Sequence, residues 1–188
     1  MSRRSSIAAA IAACAVAVSA PASFAAPIAY DFSTVSGQST PASIKGATFG
    51  SPGDPGAFTF GPNGGLFTDL GATVLSSGGL VETLTISFAR LQTGLAFDFA
   101  LGDFLGNGDT LTVQTNTGVS MTGTANAVGG DLFPEGSFDL SDPGQFSSVT
   151  ITSSFPIVIA DMTTTAPEPA SLALFGAGII GLLAVRRR

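Results

Sequence analysis

Leu84-Thr85-Ile86-Ser87-Phe88, followed a few residues on by Gly94-Leu95-Ala96-Phe97-Asp98-Phe99-Ala100-Leu101, decides the fold class. In the first run, 81–89, Leu84, Ile86 and Phe88 alternate with Thr83, Thr85 and Ser87. In the second, 94–101, Leu95, Phe97, Phe99 and Leu101 alternate with Ala96, Asp98 and Ala100. A period of two sends alternate side chains to opposite faces, so both runs predict half-buried antiparallel strands.

Downstream, 109–114 repeats the pattern with Leu111 and Val113 inward, and 119–124 repeats it more weakly. The run 137–140 places Phe138 and Leu140 together, and 147–153 sets Val149 and Ile151 against Thr150 and Thr152. The run 156–163 closes the domain, with Pro156 at a strand start, where a missing N–H is tolerated. Upstream, 30–34 reads as an opening strand, 44–49 as a second, and 57–60 as a short one with Phe58 and Phe60 on one face. Gly50-Ser51-Pro52-Gly53-Asp54-Pro55-Gly56 and Gly61-Pro62-Asn63-Gly64-Gly65 are turn clusters. No segment between 26 and 165 carries a helical period. Short strands with turn signals roughly every 8–12 residues predict an all-β body, an antiparallel two-sheet sandwich of jelly-roll-like form. Pairing of first and last strands would bring Asp31 near Asp161.

The two ends have a different character. Arg3 and Arg4 precede an apolar run over 7–18 and then small residues, the order of a secretory signal peptide with its helix. Ser23-Phe24-Ala25 supplies small residues before a cleavage point between Ala25 and Ala26, giving a leader over 1–25. Ser2-Arg3-Arg4 faintly resembles a twin-arginine signal, but Ser6 and Ile7 follow where larger apolar residues are preferred. Ile11-Ala12-Ala13-Cys14 has the form of a lipoprotein box, but the apolar run before Cys14 is short and continues past it.

At the other end, Pro167-Glu168-Pro169 precedes an uncharged run over 170–185 and then Arg186-Arg187-Arg188. As a helix the run would rise about 24 Å, slightly short of a bilayer core of about 30 Å, and the arginines can reach to the headgroups. Such a basic flank stays cytoplasmic, so the orientation predicts a body outside the cytoplasm, in agreement with the leader. Ala173, Ala177 and Gly181 recur every four residues as a small-residue stripe.

The tripeptide, the apolar helix and the arginine cluster, in that order over 166–188, resemble the PEP-CTERM sorting signal of Gram-negative bacteria. The resemblance implies that Pro167, Glu168 and Pro169 are recognition residues for an exosortase, a membrane-embedded peptidase. It implies export, processing and association with the envelope or an exopolysaccharide matrix, as in a biofilm. It implies nothing about the body.

Between the two addresses lies one domain, 26–165, long enough to bury a real core. Its basic residues are Lys45 and Arg90, against ten aspartates and two glutamates, a net charge of −10. Nucleic acid and anionic lipid are therefore poor partners for it. The body has no cysteine, histidine or tryptophan. That excludes disulfide staples, Ser-His-Asp and Cys-His catalysis, and histidine zinc sites.

Three constellations remain. Asp103, Asn107 and Asp109, on the glycine-rich stretch Gly102-Asp103-Phe104-Leu105-Gly106-Asn107-Gly108-Asp109, offer oxygen ligands of the kind calcium takes, although the spacing departs from the EF-hand. The plainer reading is a hairpin loop with Asn107-Gly108 as turn-former. A carboxylate pair drawn from Glu82, Glu135 and the aspartates could serve glycoside hydrolysis. Tyr30 is the one tyrosine that could stack a sugar, and the alternating phenylalanines read as core. The expected function is a non-enzymatic envelope or matrix protein with a structural or adhesive body. It would begin as an inner-membrane-tethered precursor and end at the cell surface or in the extracellular matrix. The alternatives are a polysaccharide-binding module, calcium-assisted, and a secreted glycosidase or lyase.

Overall fold

The computed structural model describes residues 26–127 and 131–167. The expected leader, the expected membrane helix over 170–185, Glu168, Pro169 and Arg186 to Arg188 lie outside the described residues. Among the described residues no helix is long and apolar enough to cross a membrane. The described residues form ten strands: β1 (Ile28–Ala29), β2 (Ala42–Ile44), β3 (Ala47–Gly50), β4 (Thr59–Pro62), β5 (Thr73–Ser76), β6 (Leu84–Leu101), β7 (Asn107–Thr115), β8 (Ser120–Asn126), β9 (Glu135–Ser153) and β10 (Ile157–Thr165).

The two alternating runs that fix the fold class are halves of one strand, β6. Leu84, Ile86 and Phe88 are buried at even positions, Leu95, Phe97, Phe99 and Leu101 at odd ones, yet all seven join the same core cluster. The ladder to β9 shifts register between Ser87 and Gly94, and this irregularity absorbs the change of phase. A one-residue slip exchanges the faces of a strand, so each half presents its apolar set inward. β9 does the same, with Phe138 and Leu140 before its own break and Val149 and Ile151 after it. The runs 137–140 and 147–153 are therefore one strand as well.

The body is all-β and antiparallel, as expected. In place of two separate sheets, one continuous hydrogen-bonded sheet runs β4-β5-β10-β6-β9-β7-β8. β6 and β9 serve both halves. They pair with each other in both halves, 84–87 with 148–151 and 94–100 with 135–141. In the first half β3 lies beside β6 and β7 beside β9, and in the second β10 lies beside β6. β8 returns to β9 through Asn126 and Glu135. β1 pairs with β10, so first and last strands do meet, and Tyr30 N–H donates to the Met162 carbonyl.

Three local expectations are corrected. The run 30–34 is not a strand. After β1, Asp31 accepts from the Ser33 N–H and caps a 3-10 turn, Phe32–Val35. The run 44–49 is a hairpin, because Lys45 and Gly46 both take positive φ and reverse the chain between β2 and β3. Asn107-Gly108 is not a hairpin turn. Asn107 opens β7, and Gly108, at φ +78°, is a bulge whose N–H donates to Asn126 Oδ1. No alternating run in the sequence announces β5.

The core is phenylalanine-rich. Phe32, Phe49 and Phe60 meet edge-on with centroids 5.2–5.6 Å apart, and Phe97 stacks on Phe138 at 5.1 Å. Such pairs add about 0.5–1.5 kcal/mol each beyond their burial. A smaller cluster, Leu70, Val74, Ala100, Val158 and Ala160, lies apart from the main core.

Candidate functional site

The site is built on that second cluster. On β6 and β9 the residues alternating with the core set are Asp98 and Ala100, paired with Ser137 and Glu135. The β4–β5 connection, 63–72, crosses these strands as a strap. Asn63 locks it. Its amide Nδ2 donates to the carbonyls of Phe67 and Leu70, and its Oδ1 accepts from the Phe67 N–H. Gly71 brings the strap onto β10, where an added Cβ would lie 2.7 Å from Asp161 Oδ2. Asp161 itself sits at φ +49° at the β10 register shift. Glu135, only 8 % exposed, holds the other end. Its two carboxylate oxygens accept the N–H groups of Thr68 and Asp69, each at 2.7 Å.

Between strap and sheet lies a cavity of about 300 Å³ lined by Asp69, Leu70, Asp98, Glu135, Gly136 and Ser137. Burial pushes the Asp98 carboxyl above its ordinary range, and the charges of Asp161 and Asp69 push it further the same way.

Two residues from the cavity-lining Asp69 and Glu135 stand Phe67 and Phe133, which lead to a rim of exposed apolar side chains. Phe67 of the strap meets Phe133 at 5.6 Å, and Phe133 meets Phe104 edge-on at 6.2 Å. Phe104 is 63 % exposed, and Leu66, Leu105 and Leu132 are exposed around it. Leu105 takes a left-handed φ of +59°, and its N–H donates to the Leu132 carbonyl. Ser77 N–H donates to the Ile157 carbonyl and Gly102 N–H to that of Pro156. The loop 77–83, with exposed Leu80 and Val81, therefore shares this end.

The residues proposed from sequence are distributed as follows. Asp103 and Asp109 come together over Gly106, whose added Cβ would lie 2.7 Å from Asp103 Oδ2. Asp109 Oδ2 is shut from solvent without a donor, and desolvation, followed by the charge of Asp103, pushes its carboxyl up. Asn107 is exposed at the head of β7. Among the described residues no three His, Cys, Asp or Glu side chains are arranged to hold a metal ion. Glu135 lies with Asp69 and Asp98, while Glu82 is on the separate loop 77–83. Tyr30 cannot stack a sugar. It is 5 % exposed, and its hydroxyl meets Thr164 Oγ1 at 3.1 Å. Pro167 ends the described chain, and Ala26 begins it, exposed. No sequence motif marks the strap or Phe104 as a site, and Asp98 enters there only as one of the aspartates open to a carboxylate pair. Phe104 is the third residue of the glycine-rich stretch 102–109, and its isolation from any alternating run is the signal the sequence offers.

No curated protein matches the chain in sequence. Among solved structures, the K2 cleaved adhesin domain of Lys-gingipain shares the fold, with TM-score 0.54 at 16% identity over 74% of this chain and 98% of that one. CsCBM6-3 from Clostridium stercorarium, solved with cellobiose, gives TM-score 0.39 at 15% identity, over 64% and 87% of the two chains. A family 29 carbohydrate-binding module gives 0.38 at 10% identity, over 75% and 92%. The PEP-CTERM protein-sorting motif matches residues 165–188 and implies export and exosortase-mediated sorting to the cell surface. The last residue of β10, Thr165, is thus the first residue of the PEP-CTERM sorting motif that this chain carries.

Proposed function

We propose that the chain is an exported, exosortase-processed surface or matrix protein of a Gram-negative bacterium, with a non-enzymatic, adhesive or structural body. The sorting motif on the end of β10 carries the reading. In this account residues 1–25 are removed on export, and 170–185 tether the precursor in the inner membrane. Pro167, Glu168 and Pro169 are presented to the peptidase, and Arg186 to Arg188 keep the tail's end cytoplasmic. The jelly-roll-like folding of the single sheet makes a rigid body that needs no disulfide. A non-enzymatic body is supported by Glu135, whose carboxylate is spent on two backbone N–H groups instead of a substrate. Mass spectrometry of the protein from cells with and without exosortase tests this. Loss of the C-terminal segment only where the peptidase is present is the expected result, and an intact C-terminus in both would refute it.

The exposed Phe104 beside a carboxylate-lined cavity favours a second reading, an extracellular polysaccharide-binding module. Aromatic faces and hydrogen-bond acceptors are what a sugar ring engages.

A further inference from the structure

We infer that the loop end opposite the tail is a docking surface for a polysaccharide bearing free, protonated amino groups. Its ring faces lie on Leu66, Phe104, Leu105 and Leu132, and an amine reaches the cavity between Asp69 and Asp98. The inference rests on the polysaccharide-binding reading above and names its ligand class.

Four observations carry it. First, the exposed apolar residues are segregated. Of the eight large ones among the described residues, Leu66, Leu80, Val81, Phe104, Leu105 and Leu132 are on the loops at this end, leaving Leu91 and Met121 elsewhere. Scattered exposed leucines need no explanation, but a grouped set marks an interaction surface. Second, the register of β10 fixes which end this is. Ile157 pairs with Leu101 beside the loops, and Thr165 pairs with Gly94 at the bend of β6. Eight strand steps of about 3.3 Å put the tail's exit roughly 26 Å from the apolar loops. The surface therefore points away from whatever holds the tail.

Third, charge selects the ligand. Asp69, Asp98, Asp103, Asp109, Asp131 and Glu135 gather at the loop end. The body's two bases are at the other end. Lys45 donates to the Ala29 carbonyl, and Arg90 follows Ala89, whose N–H donates to the Gly46 carbonyl. An acidic rim with no cation among its described residues repels anionic glycans and anionic lipid, and it repels a second copy presented end to end. It attracts an amine, which an exposed aromatic ring also favours. Fourth, the cavity of about 300 Å³ is at the small end for ligand clefts, the size for a ring and not for a folded partner.

The test is titration calorimetry of the full-length chain in detergent micelles. The probes are a glucosamine oligomer with free amines, the same oligomer fully N-acetylated, a neutral cello-oligomer and an oligolysine. Preferential binding of the free-amine oligomer is expected, with roughly tenfold weakening in Phe104→Ala and again in Asp98→Asn. Asp31→Asn makes the same charge change at the tail end, where asparagine still caps the 3-10 turn, and binding should be unaffected. Equal affinity for the acetylated and free oligomers, no binding by a chain of native circular dichroism, or equal weakening by Asp31→Asn would overturn the inference. Oligolysine bound more tightly than the amino sugar would overturn it in favour of a basic protein partner. None of these outcomes touches the sorting reading, which processing alone decides.

Discussion

The two ends of the body are made differently. At the bend, β6 and β9 pass from one half of the sheet to the other without a break in the chain, and the turn is made by register shifts inside paired strands. At the opposite end the strands stop, and the strap meets residues of other loops, Phe67 touching Phe133 and Phe133 touching Phe104. The bend buries its aromatic residues, Phe88 against Phe146 at 5.9 Å, and the loop end exposes Phe104. Continuous strands fix side chains by their neighbours on both sides, while loops leave them available. Buried packing is thus concentrated at the end near the tail, and exposed side chains at the far one.

The largest effect should come from removing an aromatic ring at the bend. Phe146→Ala, at a fully buried site, is expected to cost about 3–5 kcal/mol, read as a lowered denaturation midpoint. The matching change at the far end, Phe104→Ala, should stay within about 0.5 kcal/mol. Comparable losses would erase the distinction between the ends.

Next in size is the hold of Glu135 on the strap. Glu135→Ala strips the acceptor from the backbone N–H groups of two exposed residues, which water takes up in part, so the loss should be about 1.5–3 kcal/mol in all. Faster amide exchange at Thr68 and Asp69, with the amides of β6 still protected, is the expected pattern. Uniform loss of protection would mean that the strap is integral to the sheet.

The smallest effect is electrostatic. Because Asp98 titrates above the ordinary carboxylate range, the folded state binds more protons than the unfolded chain between the two values. Stability therefore falls as pH rises through that window and is regained on acidification. Asp69, Asp161 and Glu135 face it, and Asp109 at the loop has the same sign. Asp31, held low by Ser33, acts oppositely, and its contribution is lost only below the ordinary range. Asp98→Asn should raise the thermal midpoint at pH 7 and shrink the gain on moving to pH 5. An unchanged pH profile would remove the coupling.

Much of this was legible in the sequence. Alternation in 84–88 and 94–101 announced antiparallel strands, and the missing bases announced an acidic surface. The union of the two runs was hidden, because a phase change reads as a break until a register shift is seen to carry the strand through it. β5 is only four residues long, too short for periodicity to register. Asn63 read as one member of a turn cluster, since its three hydrogen bonds exist only once the strap has closed. Asp69, Asp98 and Asp161 come from three separate segments, and pairing alone brings them to one place.

The direct passage of β10 into the sorting segment has a mechanical consequence. A body held by its C-terminus and gripped at its loops is under tension along β10. That strand is paired on one side with β6 and on the other with β5 near its start and β1 near its end. A pull on Thr165 along the strand loads these hydrogen bonds together, in shear, instead of opening them one at a time from an end. The chain is therefore arranged to keep its fold under drag, with the strand that bears the load also carrying the address.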